Sequence, residues 1–403
     1  MTALIIGIPA HRERHWLPKT LAALAVQDDM DFEVHVFINQ PEAWVADPDH
    51  TETTAENRAT IDDLNQISYP FPLHIWDGID QHPLPGKGGV GLARRFIFDR
   101  IVAKHPQALC CSLDADTHVE PNYTSAIRKA FQQHPNASAM AVPYYHPLPE
   151  DPDLALHLLR YEIYMRYYQL SLWRIGSPYA FLPLGSAIVF PASAYHKVHG
   201  MPDRRAGEDF YFLQQLRKIG PVIRWAPLCV YPASRPSDRV PFGTGPLLLE
   251  QNLEQQNTRF PFYRQQAFDL LGETFQKFSL LHQSDLPLPI QPFIDQKMGG
   301  SVAFDRMRRN FKSNQMRFVK ACHEKIDALK TLQFLRHDRE QNGGQSPQQE
   351  LNNLLNKLQQ PPAQMVFQSS QIRELDLLRD RLAQLEADFQ KEHMNQWDLS
   401  ASW

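Results

Sequence analysis

Asp114 and Asp116 flank Ala115 at the end of an apolar run, residues 108–113. Such a run reads as a buried strand. In an open α/β sheet, ligands collect at the carboxyl ends of strands. Two carboxylates held there repel each other unless a cation lies between them. A hard dication, Mg²⁺ or Mn²⁺, takes oxygen ligands and keeps positions open for substrate phosphates. The pair therefore points to a divalent metal that in turn holds a nucleotide diphosphate, although an Asp-x-Asp after a strand is also a common solvated turn. Upstream, residues 86–91 hold four glycines and Lys87 and open a helix that carries Arg94 and Arg95. Cations and free amides at a helix start suit phosphate oxygens. The glycine spacing fits neither a Walker loop nor a dinucleotide fingerprint.

The elements that must position these residues alternate. Strands are expected at 3–8, 33–38, 73–76, 108–113, 139–143, 187–190 and 222–226. Helices are expected at 17–26, 55–67, 92–103, 123–134, 153–173 and 210–219. This alternation predicts an α/β fold, a mostly parallel sheet with helices on both faces. The helix at 153–173 carries Tyr161, Tyr164, Tyr167, Tyr168 and Trp173, an aromatic density expected in a core. From about residue 251 Gln, Asn, Lys and Arg increase. One long helix is expected at 304–339, a linker at 341–349, a short helix at 351–358 and a last helix at 371–389. That last helix has Leu375, Leu378, Leu382 and Leu385 on one face. The expected division is a catalytic domain at 1–250 and a helical accessory domain at 251–403. Two apolar stripes, Met307, Phe311 and Phe318 on one helix and the leucines on the other, are expected to bury each other.

The 403 residues include 43% hydrophobic side chains, enough for a large core, and the net charge of −4 gives no support to nucleic-acid binding. Four cysteines with no Cys-x-x-Cys pair are the usage of a reduced, cytoplasmic protein. No transmembrane segment is expected, since no run of 18 apolar residues occurs. A peripheral membrane contact stays open, because the 304–339 region is basic on one side.

Three features in order resemble family 2 glycosyltransferases of the GT-A fold. They are the strand 4–8 with Pro9 followed by Glu13 and a helix ending Leu24-Ala25-Val26-Gln27; the Asp114-Ala115-Asp116 turn; and Gly207-Glu208-Asp209 at a helix start. The Gly-and-Ala-Arg segment ending at Arg94 adds to the likeness, which covers about the first 245 residues. The resemblance implies a nucleotide-sugar donor, a UDP-sugar favoured and a GDP-sugar open. It implies a metal on Asp114 and Asp116 and transfer with inversion to an acceptor hydroxyl. The acceptor is a glycan, a lipid-linked sugar or a small molecule. Asp209, with Glu208 beside it, is implied as general base, although both can equally stabilise the helix start. Pro9, Glu13, Asn39, Lys87, Arg94 and Asp114 are expected to contact the donor. Arg235 and Arg239 sit in a loop rich in Arg, Gly and Pro, and are expected to grip the diphosphate. Gly185 and Ser186 match a small-residue loop near the acceptor, and a plain turn explains them as well. Asn39 stands where the family usually has an acidic residue, with Glu42 nearby, and no further His ligand is evident at 230–245. A nucleotidyltransferase would also use paired carboxylates, but it should carry a glycine-rich loop after the first strand, and residues 9–13 contain no glycine. A non-catalytic binding scaffold would have little need of two intact acidic pairs.

Overall fold

The structure is a computed structural model and describes residues 2–204, 207–237, 244–249, 258–300, 302–363 and 371–399. Two compact units divide the chain. The first is Met1–Pro149 with Leu182–Leu249, and the second is Glu150–Phe181 with Glu250–Trp403.

The first unit is built on β1 (Leu4–Ala10), β2 (Phe32–Asn39), β3 (Leu73–Gly78), β4 (Leu109–Ser112), β5 (Thr117–Val119), β6 (Ala139–Ala141), β7 (Ile188–Pro191), β8 (Val222–Ile223) and β9 (Val230–Pro232). Seven of these form one sheet in the order β3-β2-β1-β4-β7-β6-β8, while β5 and β9 pair separately. The four strands β3, β2, β1 and β4 run parallel, and β7 lies antiparallel between β4 and β6. This is the mostly parallel sheet with helices expected from the sequence.

All seven residues of β1 are buried. A parallel strand covered on both faces has no polar side to show, so its apolar run is continuous rather than alternating. Pro9 is tolerated because pairing with β4 ends at Gly7 and Ser112, so its missing N–H falls beyond that ladder. Six helices flank the first unit's strands or lie between them in the chain: α1 (Leu17–Leu24), α2 (Thr51–Asn65), α3 (Val90–Lys104), α4 (Tyr123–Gln133), α5 (Pro152–Arg174) and α6 (Ala192–Lys197); α7 (Glu208–Ile219) follows them. Of these, α5 belongs to the second unit. Helix α3 lies hard against β1: a Cβ on Gly7 would come within 2.8 Å of the Phe98 ring.

In the second unit α5 starts where Asp151 accepts hydrogen bonds from Asp153 and Leu154 amides, with Pro152 in the first turn. Tyr164, Tyr167 and Trp173 are buried, as expected of a core helix. Helices follow at Gln265–Gln283, Gln291–Met298, Val302–Asn310, Gln315–Lys325, Ala328–Asn342, Pro347–Lys357 and Ile372–Leu399. The single helix expected at 304–339 is three. Asn314 accepts from the Arg317 amide and Asp327 from the Lys330 amide, and each restarts the helix. The two expected stripes do not bury each other: helix Gln315–Lys325, with Phe318, packs on Gln265–Gln283, and the leucines of Ile372–Leu399 pack on α5. No helix among the described residues is long and apolar enough to cross a membrane.

Candidate active site

The carboxyl ends of β1, β2 and β4 bring together residues that lie far apart in the chain. After β4 the chain turns, with the Thr117 amide bonded to the Asp114 carbonyl at 3.2 Å. Ala115 is buried, and its carbonyl accepts from Thr20 Oγ1 at 2.8 Å. Pinning the middle residue inward leaves Asp114 and Asp116 on either side of it. Strand β9 then leaves its pairing with β5, the Ala233 amide bonds to the Asp116 carbonyl at 3.1 Å, and Arg235 follows two residues later.

Two arginines tie this site together. Arg235 Nη2 donates to Asp116 Oδ2 at 2.7 Å and to Glu13 Oε1 at 2.5 Å, with its guanidinium 5.4 Å from the Trp16 ring. Glu13 is buried just ahead of α1. Arg94, buried on α3, donates to Asp114 Oδ1 at 2.5 Å and, from its other terminal nitrogen, to Glu208 Oε1. Burial works against both guanidinium charges, yet the carboxylates prevail and raise both pKa values: Asp114, Glu208 and Asp209 for Arg94, and Asp116 with Glu13 for Arg235.

Glu208 and Asp209 open α7. Gly207 supplies the left-handed turn before them, φ 73°, which a side chain rarely adopts. Asp209 Oδ1 accepts from the Phe210 amide at 2.7 Å. Its pKa is pushed up to about 7, first by burial and then by Glu208, against the opposing pull of Arg94. A carboxyl poised near neutrality, with one oxygen fixed by a helix amide, suits proton acceptance.

The loop Gly185–Ala187 has a definite reason for its glycine. A Cβ at Gly185 would fall 2.2 Å from Arg94 Nη2. The close neighbour is thus Arg94 itself, and Ser112 Oγ holds the loop by donating to the Gly185 carbonyl at 2.7 Å.

The remaining expected residues take other positions. Asn39 is buried, and its amide donates to the Ala10 carbonyl at 2.9 Å, bracing the ends of β1 and β2. Lys87 is exposed on the loop before α3, and among the described residues no hydrogen bond or ion pair joins it to the carboxylates. Arg95 turns to Asp99 at 3.5 Å and the Met201 carbonyl at 3.4 Å. Arg239 lies outside the described residues. Sequence reasoning gave Arg94 and Arg235 phosphate-binding roles but missed that each bridges two carboxylates. Trp16 was also missed, and its place one helix turn after Glu13 is the only hint the sequence holds.

Asp114 and Asp116 are the residues here that could hold a divalent cation. Glu13, Asp114, Asp116 and Glu208 are four carboxylates paired with two guanidiniums, and Asp209 adds its charge near Arg94. Arg94 bonds Oδ1 of Asp114, whose side chain is part-exposed. An all-oxygen set with surplus negative charge matches Mg²⁺ or Mn²⁺.

Residues 111–284 match the family described as "Glycosyl transferase family group 2". That segment holds Asp114, Asp116, Asp209 and Arg235. No curated protein matches the chain. Among solved structures, S. aureus TarS 1-349 is 12% identical, over 85% of this chain and 92% of that one, with a TM-score of 0.38. The same TarS segment in complex with UDP-GlcNAc is 12% identical over the same shares, with a TM-score of 0.39. At these values the two likenesses carry no argument about chemistry.

Proposed function

We propose that this chain, a glycosyltransferase of family group 2 by its residues 111–284, moves a sugar from a nucleotide-sugar donor to an acceptor hydroxyl with inversion. The observation that carries this reading is the chain of contacts from Asp114 through Arg94 to Glu208, with Asp209 beside it. One buried guanidinium thus links Asp114, read here as a donor-side residue, to the helix start that carries Asp209, read here as the base.

Asp114 and Asp116 would hold Mg²⁺ or Mn²⁺, and such an ion would supply positive charge to the leaving diphosphate. Arg235 reaches the same side and offers planar donors to phosphate oxygens once it exchanges its carboxylate partners. Pro9, Glu13, Asn39 and Lys87 border the donor position. Asp209 takes the acceptor proton as the hydroxyl attacks the anomeric carbon. A single in-line displacement needs one such base, which is why inversion is the route proposed. A UDP-sugar is the favoured donor, as the commoner nucleotide class, and a GDP-sugar is the other. The acceptor is a glycan, a lipid-linked sugar or a small molecule. A cytoplasmic location belongs to the same reading and is supported by the four cysteines, all free thiols.

Donor hydrolysis with a panel of UDP- and GDP-sugars, with Mn²⁺ or with EDTA, tests the proposal. Metal-dependent turnover of one donor is expected. Asp116→Ala should weaken metal-dependent nucleotide binding, and an unchanged affinity in that variant would remove the metal assignment.

A further inference from the structure

The first unit carries a second cluster of metal-ligating residues at the other end of its sheet. Glu33 and His35 are two residues apart on β2, so their side chains share a face. His74 on β3 is directly opposite His35 in the parallel register. All three lie near the starting ends of their strands, whereas Asn39 closes β2 on the side of Asp114 and Asp116.

The atoms converge. His74 Nε2 is 3.1 Å from Glu33 Oε2, His35 Nε2 is 3.9 Å from the same oxygen, and the two imidazole centroids are 4.5 Å apart. One ligand atom from each residue falls within 4.8 Å of the others. Ligand atoms about 2.0–2.2 Å from a tetrahedral zinc lie roughly 3.3 Å from one another. The observed separations bracket that value.

A second observation points the same way. His35 is buried, 4% exposed at its side chain, and its Nε2 has no hydrogen-bond partner. A buried ring nitrogen that makes no hydrogen bond, 3.9 Å from a carboxylate oxygen, stands where a metal ion would join the two. Glu33 and His74 are part-exposed, which leaves an entry path and room for a fourth ligand.

We propose that Glu33, His35 and His74 form a binding site for a transition-metal dication of the zinc class, separate from the carboxylate site. Two imidazoles and one carboxylate suit zinc better than magnesium, whereas Asp114 and Asp116 offer only oxygen. The site joins β2 to β3 at the edge of the sheet, and its role is to fasten that edge. Binding has one local cost. The Trp76 indole N–H donates to His35 Nδ1 at 3.3 Å, so the neutral ring carries its proton on Nε2. With zinc on Nε2 that proton moves to Nδ1, and Trp76 must release its bond. Zinc binding should therefore be visible in Trp76 emission.

The experiment uses the full chain, stripped with chelator, in excess Mg²⁺ to occupy the carboxylate site, and titrated with Zn²⁺ alone by calorimetry and fluorescence. One equivalent is expected to bind, with a higher Tm and a change in tryptophan emission that disappears in Trp76→Phe. Glu33→Gln and His74→Ala, both at part-exposed positions, should each weaken binding by at least about tenfold, the scale of lesser changes around metal sites. Asp116→Ala should leave the stoichiometry at one. No binding in excess Mg²⁺, binding unchanged in a His74→Ala protein of normal circular dichroism, or binding lost in Asp116→Ala would each overturn the proposal. In the first of those cases Glu33 and His74 are a plain hydrogen-bonded pair.

Discussion

At the scale of single residues the site turns on Arg94. A buried guanidinium is costly unless its hydrogen bonds and charge are matched, and here Asp114 and Glu208 match it from two sides. Gly185→Ala would place a methyl group on that guanidinium. Displacement of Arg94 should cost about 1–3 kcal/mol of stability and lower turnover, measured by urea unfolding and donor hydrolysis on the same sample. Asp209→Asn keeps the oxygen that accepts from Phe210 but cannot take a proton. Turnover should fall by roughly 10² to 10⁴ with donor binding nearly intact. In the wild type, activity should rise with pH as Asp209 ionises around 7, and the residual activity of the variant should lack that rise. If the Asn variant instead loses stability and keeps turnover, the carboxylate only stabilises the helix start. The Asp114-Ala115-Asp116 and Glu208-Asp209 pairs were legible in the sequence because each is local. The partners of Arg94 lie 20 and 114 residues away, and no local pattern shows which carboxylates an arginine will meet.

Among elements, the pairing of α5 with helix Ile372–Leu399 is tied by charge as well as by leucines. Arg166 donates to Glu162 at 2.8 Å and to Glu386 at 2.5 Å, and Arg379 donates to Glu162 at 2.9 Å. All four side chains are buried. Burial, assisted by Glu162 and opposed by Arg166, pushes Glu386 up to about 7. A carboxyl whose pKa is raised by folding binds its proton more tightly in the folded state. It therefore favours folding at low pH and loses that contribution as pH rises from about 4.5 to 7. Thermal melts should show Tm rising as pH falls from 8 to 6. Glu386→Gln, which keeps an acceptor for Arg166, should flatten that slope and be more stable by about 1–3 kcal/mol at pH 8. An unaltered slope would mean that Glu386 is ionised in the fold throughout. The apolar stripe on this last helix was legible from its spacing. Its partner was not, because the amphipathic faces at 304–320 and 375–385 fit each other as well as they fit α5. The breaks at Asn314 and Asp327 were legible in principle as capping residues, but the continuous spacing of Met307, Phe311 and Phe318 outweighed them.

For the whole molecule, the sheet at residues 3–141 followed from the alternation of apolar runs and helices. The allegiance of α5 did not, since it depends on helices that come more than ninety residues later. A chain ended at residue 250 keeps α5 but removes helix Ile372–Leu399 and Gln265–Gln283, which supply the Phe268 and Phe389 rings against Tyr167 and Trp173. Such a protein should be poorly soluble, with light scattering and chromatography reporting association. A soluble, monomeric and fully active fragment would show that α5 needs no cover. The same arrangement sets an order of events during synthesis. Helix α5 leaves the ribosome before β7 and α7, yet its covering helix is made roughly 200 residues later, about 10–40 s at ordinary translation rates. For that interval the nascent chain displays a long aromatic face, and at the start of it the sheet still lacks β7, the strand between β4 and β6. A chaperone that holds extended apolar helices would find its substrate there, and a cell short of such chaperones should accumulate this protein as aggregate before any defect in its chemistry is felt.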